Sequence, residues 1–169
     1  MVRHWSDAEL KEELKKLTII CDTREQDTHC EEFFKKKNVP CVVRKLDVGD
    51  YSAQIGNMTL ERSAVIERKH DLEELCGNMT ADRDRFEREF LRAKAQGIKV
   101  FLIVENASWG DIFLGNYRSK LAPQSLVASI LSWIARYDVT VIFCKPNETP
   151  RLIHGIMYYR AREELLYGK

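Results

Sequence analysis

Short apolar segments alternate with longer polar ones along the chain, and this pattern predicts a mixed α/β fold. Segments rich in β-branched residues and bounded by polar ones read as buried strands, at 17–21, 41–46, 100–104 and 139–144. Helical spacing and termination signals predict helices at 28–37, 71–96, 122–137 and 147–166. Strands separated by helices favour a central mixed sheet with helices on both faces.

Glycines and capping residues predict where several elements turn or end. Gly56-Asn57 predicts a hairpin turn whose second arm rises through 59–69. Gly97 predicts the end of the long helix before it, which we expect to be interrupted around Gly77-Asn78. The segment 109–119 contains glycine and is expected to be irregular.

The N-terminal segment has its own helix signal. Ser6 followed by Glu9 three positions later is typical of a helix start, so residues 1–16 are predicted to be a helical extension. It precedes one domain at 17–169, a length sufficient to bury a core. The extension is charged and lacks a signal-peptide core, so we expect an intracellular protein with no membrane partner.

Composition excludes some classes of site and leaves others open. Five cysteines are scattered without any CxxC pair, which favours inert thiols over a disulfide framework or a zinc site. The formal net charge of +1 argues mildly against a nucleic-acid-binding protein. Local segregation is still compatible with it, since acidic residues can gather in a metal site while Lys and Arg flank it.

The stretch from Val65 to Leu75 carries the most informative charges. In a strand, Glu67 and Lys69 point to one face and Arg68 to the other. A carboxylate and an ammonium on one face fit a divalent metal beside Glu67, with Lys69 orienting a water molecule. An exposed edge strand with a solvated charge cluster is the alternative.

Asp50 changes the balance between these two interpretations. It begins the first arm of the hairpin, whose turn is expected to bring residue 50 back near the mid-sixties. Metal binding needs converging hard oxygen ligands, which Asp50 and Glu67 would supply to Mg²⁺ or Mn²⁺. An Asp after Gly is otherwise ordinary turn chemistry.

Gly49-Asp50 and Glu67-Arg68-Lys69 together resemble the signature of the XPF-type structure-specific endonuclease domain, in which GD precedes ERK, three residues and an Asp. The resemblance covers residues 17–165 and implies a three-layer α/β/α restriction-endonuclease-like fold with a central mixed sheet. The last motif position holds Glu73, so either Glu73 replaces the Asp or Asp71 takes the role in a shifted register.

The resemblance also assigns roles to individual residues. An acidic pair after the first strand and an Arg-aromatic helix recur here, with Glu89 where Gln is more usual. The catalytic set it implies is Asp50, Glu67, Lys69, Arg68, Asp22 and Glu25, with Asp50, Glu67 and Asp22 as metal ligands. The DNA-binding residues are expected to be Arg85, Arg83 and Arg92, although a salt-bridged solvent face explains these arginines equally well. Arg68 either pins a loop or contacts phosphate.

The function implied is metal-dependent hydrolysis of branched DNA, such as a flap, fork or junction, in repair, recombination or replication. A non-catalytic DNA-binding or scaffolding subunit is the alternative, and a sequence-specific restriction-type enzyme is a third hypothesis. Family members commonly dimerise, and the apolar last helix suggests a homodimer or heterodimer. No helix-hairpin-helix module follows, so we expect a stand-alone version, in a prokaryotic or phage-infected cytoplasm rather than a eukaryotic nucleus.

Overall fold

The computed structural model describes residues 4–168. Residues 1–3 of the expected extension, and Lys169, lie outside the described residues. The strands are β1 Thr18–Cys21, β2 Cys41–Val43, β3 Tyr51–Ile55, β4 Met58–Thr59, β5 Ala64–Lys69, β6 Lys99–Glu105 and β7 Thr140–Cys144. The helices are α1 Asp7–Leu14, α2 His29–Lys36, α3 Leu72–Met79, α4 Arg83–Ala95, α5 Trp109–Leu114, α6 Pro123–Tyr137 and α7 Thr149–Tyr167.

Parallel and antiparallel strand pairs both occur. The chain divides into two compact units, the first comprising residues up to Val65 and from Pro150 on, the second Ile66–Thr149. In the first unit the strand order is β2-β1-β3-β5, with β4 on β3, and in the second it is β5-β6-β7. β1 pairs parallel with β2 and antiparallel with β3, while β6 pairs parallel with β7. The predicted fold class, α/β with a mixed sheet and flanking helices, is confirmed.

The first unit has its core around β1, as the apolar run predicts. Ile19 and Ile20 are fully buried, and the predicted helix of the extension forms as α1 with a complete Ser6–Glu9 capping box. The Trp5 indole donates a hydrogen bond of 2.9 Å to the Leu165 carbonyl, which ties the start of α1 to α7. The N-terminal extension is therefore packed on the first unit.

The second unit is held by aromatic packing between α4 and α6. The rings of Phe86, Phe90 and Trp133 are all buried, with centroids between 4.5 and 5.4 Å apart. Glu87 on α4 accepts hydrogen bonds from the Trp133 indole (3.1 Å) and the Tyr137 hydroxyl (3.3 Å) on α6. These contacts fix the face of α4 and so determine which of its arginines reach solvent.

The predicted second hairpin arm over 59–69 is wrong as one strand. β4 ends at Thr59, and the backbone then turns, because the amides of Ser63 and Ala64 both donate to the Leu60 carbonyl at 2.8 Å. Leu60 is fully buried, so its packing stabilises the turn and β5 begins afresh at Ala64. The side-chain alternation needed for Glu67 and Lys69 therefore starts at β5 rather than at the hairpin.

Three other elements differ from their predicted bounds. The second strand ends at Val43 instead of 46, and 109–119 is not wholly irregular, since α5 forms between a Ser108 cap and Gly115 at φ +68°. The break in the long helix falls at 80–82 rather than at Gly77-Asn78, because Gly77 stays within α3. Among residues 4–168, no helix has the length and apolar character needed to cross a membrane.

Candidate active site

Asp22 is a buried carboxylate at the end of β1. Its side chain has no exposure, and its Oδ1 accepts hydrogen bonds from the Arg24 amide (2.7 Å) and Nε (2.8 Å). Its Oδ2 accepts a bond of 2.6 Å from the Leu46 amide. Burial alone raises the pKa of Asp22, but these hydrogen bonds outweigh it, so the pKa is lowered. Asp22 is thus a charged residue that holds together two loops, and metal binding has to compete with these donors.

Asp50 lies beside Asp22 for a reason of register. Cys21 of β1 is opposite Tyr51 of β3, so the residues following and preceding them meet, and the Asp22 amide donates to the Asp50 carbonyl at 2.8 Å. Gly49 has φ +76°, a conformation that is strained for other residues and explains the Gly before Asp50. Structure thus brings the backbones of these two predicted site residues together.

Glu25 is the other predicted acidic residue that follows β1. Its carboxylate accepts a hydrogen bond from the Asp27 amide (3.1 Å) and another from the Tyr51 hydroxyl (3.3 Å). Tyr51 directly follows Asp50, so Glu25 contacts the same strand end. The Asp22 amide and the Glu25 carboxylate therefore both contact the start of β3, at Asp50 and Tyr51 respectively.

The remaining predicted catalytic residues lie in the second unit on β5. Lys69 Nζ is 2.8 Å from a Glu67 carboxylate oxygen, and both side chains are largely buried, at 9% and 13% exposure. The ammonium also lies 3.3 Å from Glu74 and 5.0 Å from the centre of the Phe86 ring. Glu67 and Lys69 therefore share one face of the strand, as the alternation predicts, and Lys69 is fixed from several sides.

Glu67 lies in surroundings that favour a cation. Burial raises the pKa of Glu67, and the neighbouring Glu89 and Glu74 raise it further, against the opposing effect of the Lys69 ammonium.

Arg68 points to the other side of β5. Its Nη1 is 2.9 Å from Glu105 Oε2, and the side chains are only 5% and 1% exposed. Glu105 also accepts a hydrogen bond of 2.6 Å from the Thr149 hydroxyl at the start of α7. Of the two roles expected for Arg68, these contacts favour pinning, here between β5 and the end of β6.

The two residues considered for the last position of the motif, Asp71 and Glu73, both make local contacts. Asp71 caps α3 by accepting a hydrogen bond from the Glu74 amide (2.8 Å), and Glu73 accepts one from the Arg118 amide (2.6 Å). On α3, the carboxylate beside Lys69 is that of Glu74, whose other oxygen accepts a hydrogen bond from the His70 amide at 2.8 Å. Asp71 and Glu73 thus serve local structure.

Sequence reasoning missed Glu74 and Glu105. Glu105 was detectable, because an acid ending an apolar strand run is unusual unless it is paired. Glu74 was not, because its approach to Lys69 depends on where α3 begins relative to β5.

The predicted DNA-binding arginines of α4 separate into two kinds. Arg83 donates to Glu87 (3.0 Å) and to the Ser129 hydroxyl (3.4 Å), which ties α4 to α6. Arg85 and Arg92 instead line a shallow surface groove of about 420 Å³ together with Arg88, which the sequence analysis did not single out. Their spacing along the helix places these three arginines on adjoining turns of its outer surface.

Comparisons with known proteins agree with the fold. Residues 21–156 match the model of the ERCC4 domain. Among solved structures, XPF from Aeropyrum pernix is similar with a TM-score of 0.66 and 20% identity, covering 87% of this chain and 66% of that one. The same archaeal protein in complex with DNA is similar with a TM-score of 0.65 and 19% identity, covering 86% and 65%.

The chain spans just under two thirds of the length of these archaeal chains. No curated protein sequence matches it significantly. The family match nevertheless covers most of the chain, including Asp22, Asp50 and the Glu67-Arg68-Lys69 cluster. The chain therefore belongs to the ERCC4 domain family, that of the XPF-type nucleases.

Proposed function

We propose that this protein is a metal-dependent DNA endonuclease that hydrolyses phosphodiester bonds in branched DNA. The observation that carries the proposal is the Glu67–Lys69 pair, a largely buried carboxylate and ammonium at 2.8 Å. Glu74 lies at the same ammonium, 3.3 Å away, so acids outnumber bases around it. Membership of the ERCC4 domain family supports the nuclease activity.

Asp50 and Glu67 are the proposed ligands of Mg²⁺ or Mn²⁺, with Asp22 as a further ligand and Glu25 in support. The assignment rests on the GD and ERK motif and on the carboxylate chemistry of each group. A bound divalent ion supplies Lewis acidity and lowers the pKa of a water molecule. Because both Asp22 oxygens already accept hydrogen bonds, a metal ion at Asp22 has to compete with those donors.

Lys69 is the residue proposed to orient the attacking water. Its ammonium is held by Glu67 and Glu74 and lies over the Phe86 ring, which limits its rotamers. A fixed cation next to the reacting phosphate stabilises developing negative charge without reorganisation. Arg68 is a positioning residue, because it holds β5 through Glu105.

The substrate is proposed to be a flap, fork or junction, cut on one strand during repair, recombination or replication. Arg85 and Arg92 are the proposed phosphate contacts, because they lie on an exposed groove, whereas Arg83 is engaged by Glu87 and Ser129. One of the similar solved structures is that of XPF from Aeropyrum pernix in complex with DNA, which is consistent with a DNA substrate. Local arginines matter here because the net charge is only +1.

The test uses a labelled fork and a blunt duplex of the same sequence, with Mg²⁺, Mn²⁺ or a chelator. We expect the wild type to cut the fork only with metal. Asp50→Asn should keep DNA affinity and lose cutting, while Asp47→Asn, an exposed Asp in the same turn, should retain both.

The outcomes separate the rival functions. Binding without metal-dependent cutting supports the non-catalytic alternative, and site-specific cuts in duplex DNA regardless of branching support a restriction-type enzyme. Full activity of Asp50→Asn would show that the metal site is misplaced.

We also propose a homodimer or heterodimer through the nuclease domain. The apolar residues Ile153 and Met157 of the last helix are buried, so a different surface is needed. Phe113 and Leu114 of α5 are 64% and 76% exposed, and Leu131 of α6 is 51% exposed, so these apolar side chains of the second unit are available to a partner.

Light scattering during size-exclusion chromatography tests this surface. The wild type should elute as a dimer at micromolar concentration, and Leu114→Glu should be monomeric. Tyr167→Glu, at an equally exposed position of the first unit (73%), is the matched control. A monomeric wild type would rule out the homodimer.

A further inference from the structure

A groove of about 310 Å³ in the first unit lies partly outside the region matched by the ERCC4 domain. Its lining residues are Lys11, Leu14, Lys15, Leu17, Asn38, Val39, Pro40, His154 and Tyr158. The family match begins at residue 21 and ends at residue 156. Four of the lining residues precede it, namely Lys11, Leu14, Lys15 and Leu17, and Tyr158 follows it. The helical extension therefore creates a groove that the family match does not account for.

The groove combines an apolar floor with an aromatic wall. Leu14 and Leu17 are only 3% and 2% exposed, and they pack beneath it. The rings of His154 and Tyr158, one turn apart on α7, have centroids 6.2 Å apart and planes inclined by 33°. Burial lowers the pKa of His154, so this ring is neutral at neutral pH and offers a flat face rather than a charge.

The rim of the groove is basic and polar. Lys11 and Lys15 are exposed on successive turns of α1. Lys15 forms an ion pair of 2.6 Å with Glu12, but both side chains are more than 60% exposed, so this pair is weak and readily exchanged. Asn38, exposed at φ +53°, adds a side-chain amide at the end of α2.

We propose that this groove binds a single-stranded segment of DNA, the arm of a branched substrate. Aromatic faces that stack on bases, beside ammonium groups that neutralise phosphates, are the combination by which proteins bind single strands without sequence preference. The volume is near the lower end of the range for ligand sites, about 300–1,000 Å³, which suits a single base better than a duplex. The proposal rests on the proposed DNA endonuclease function and specifies its substrate.

The experiment measures fluorescence anisotropy of a labelled oligothymidine and of a blunt duplex, in chelator so that nothing is cut. Lys11→Gln/Lys15→Gln should weaken oligothymidine binding and reduce the slope of log affinity against log salt by about 1.4, at roughly 0.7 per phosphate contact. Tyr158→Leu should weaken oligothymidine binding about five-fold or more, because the stacking face is lost. Duplex affinity should stay unchanged.

Lys16→Gln is the matched control. Lys16 makes the same kind of exposed i,i+3 ion pair, 2.7 Å from Glu13, but does not line the groove. It should bind both probes like the wild type. Thermal unfolding followed by circular dichroism establishes that each variant is folded, and if Tyr158→Leu is not, the exposed lysine variants carry the test.

Unchanged oligothymidine affinity and salt slope in the lysine variants would overturn the groove proposal, and so would an equal loss of duplex affinity. Cleavage of a fork by the wild type with Mg²⁺ is scored separately. If the wild type cuts the fork and the variants keep the single-strand affinity of the wild type, the groove proposal alone is rejected. Groove-dependent binding by a protein that cuts nothing rejects the nuclease function alone.

Discussion

Arg68→Met tests whether the central residue of the ERK cluster is structural. The substitution keeps a long apolar side chain but removes the guanidinium that lies 2.9 Å from Glu105. Glu105 is 1% exposed, so its carboxylate is left buried, with the Thr149 hydroxyl at 2.6 Å among its hydrogen-bond donors. Water cannot replace the lost ion pair unless this part of the second unit opens.

The expected cost follows from that burial. Removing one partner of a buried ion pair destabilises a protein by about 3–5 kcal/mol, because the remaining charge stays buried with less compensation. For a domain of this size each kcal/mol lowers the melting temperature by roughly 2–4 °C. Arg68→Met should therefore melt on the order of 10 °C below the wild type.

The assay is urea and thermal unfolding at neutral pH, with Arg85→Met as the control. Arg85 pairs with Asp82 at 3.5 Å, but both side chains are more than half exposed, so its loss should cost at most about 1 kcal/mol. Equal stabilities of Arg68→Met and Arg85→Met would refute the structural role. A large loss of stability in Arg68→Met alone would show that this motif residue has a structural role.

Two further predictions concern the first unit. Asp22→Asn should lower the free energy of unfolding at pH 7 by about 2 kcal/mol, since hydrogen bonds to a charged group are lost. The folded pKa of Asp22 is lowered, so its stabilisation is complete above the unfolded pKa of about 3.9 and is lost as pH falls through the folded pKa. Urea unfolding should thus show the difference between wild type and variant shrinking as the pH falls below the unfolded pKa of about 3.9; a difference independent of pH contradicts this. Gly49→Ala should lower the free energy of unfolding by about 1–2 kcal/mol, because the φ of Gly49 is +76°. Gly110→Ala is the control and should be near neutral, because a Cβ there meets only Ser108 Oγ, at 3.5 Å. Equal effects of the two substitutions in thermal unfolding would contradict the backbone argument.

Local signals explain the elements that were predicted well. Ser6 and Glu9 form their capping box whatever surrounds them, and buried runs such as Val100–Val104 have no stable alternative to a strand. The break at Leu60–Ser63 escaped prediction because it depends on the burial of Leu60, which no local pattern reveals. The same holds for α5, whose Ser108 cap is visible in the sequence but whose short helix also packs on α6.

The candidate site divides in the same way. Alternation along β5 was enough to put Glu67 and Lys69 on one face and Arg68 on the other, because a strand has a fixed period of two. The partners came from outside β5, namely Glu74 from α3, Glu105 from β6 and Phe86 from α4.

The sequence by itself thus determined the family, the fold class and the charged motif, since these depend on residue types and local spacing. Only the tertiary structure decided that Arg68 is buried, that Asp22 is held by Arg24 and Leu46, and that Glu74 rather than Asp71 or Glu73 lies beside Lys69, because those contacts join residues whose approach is fixed by packing.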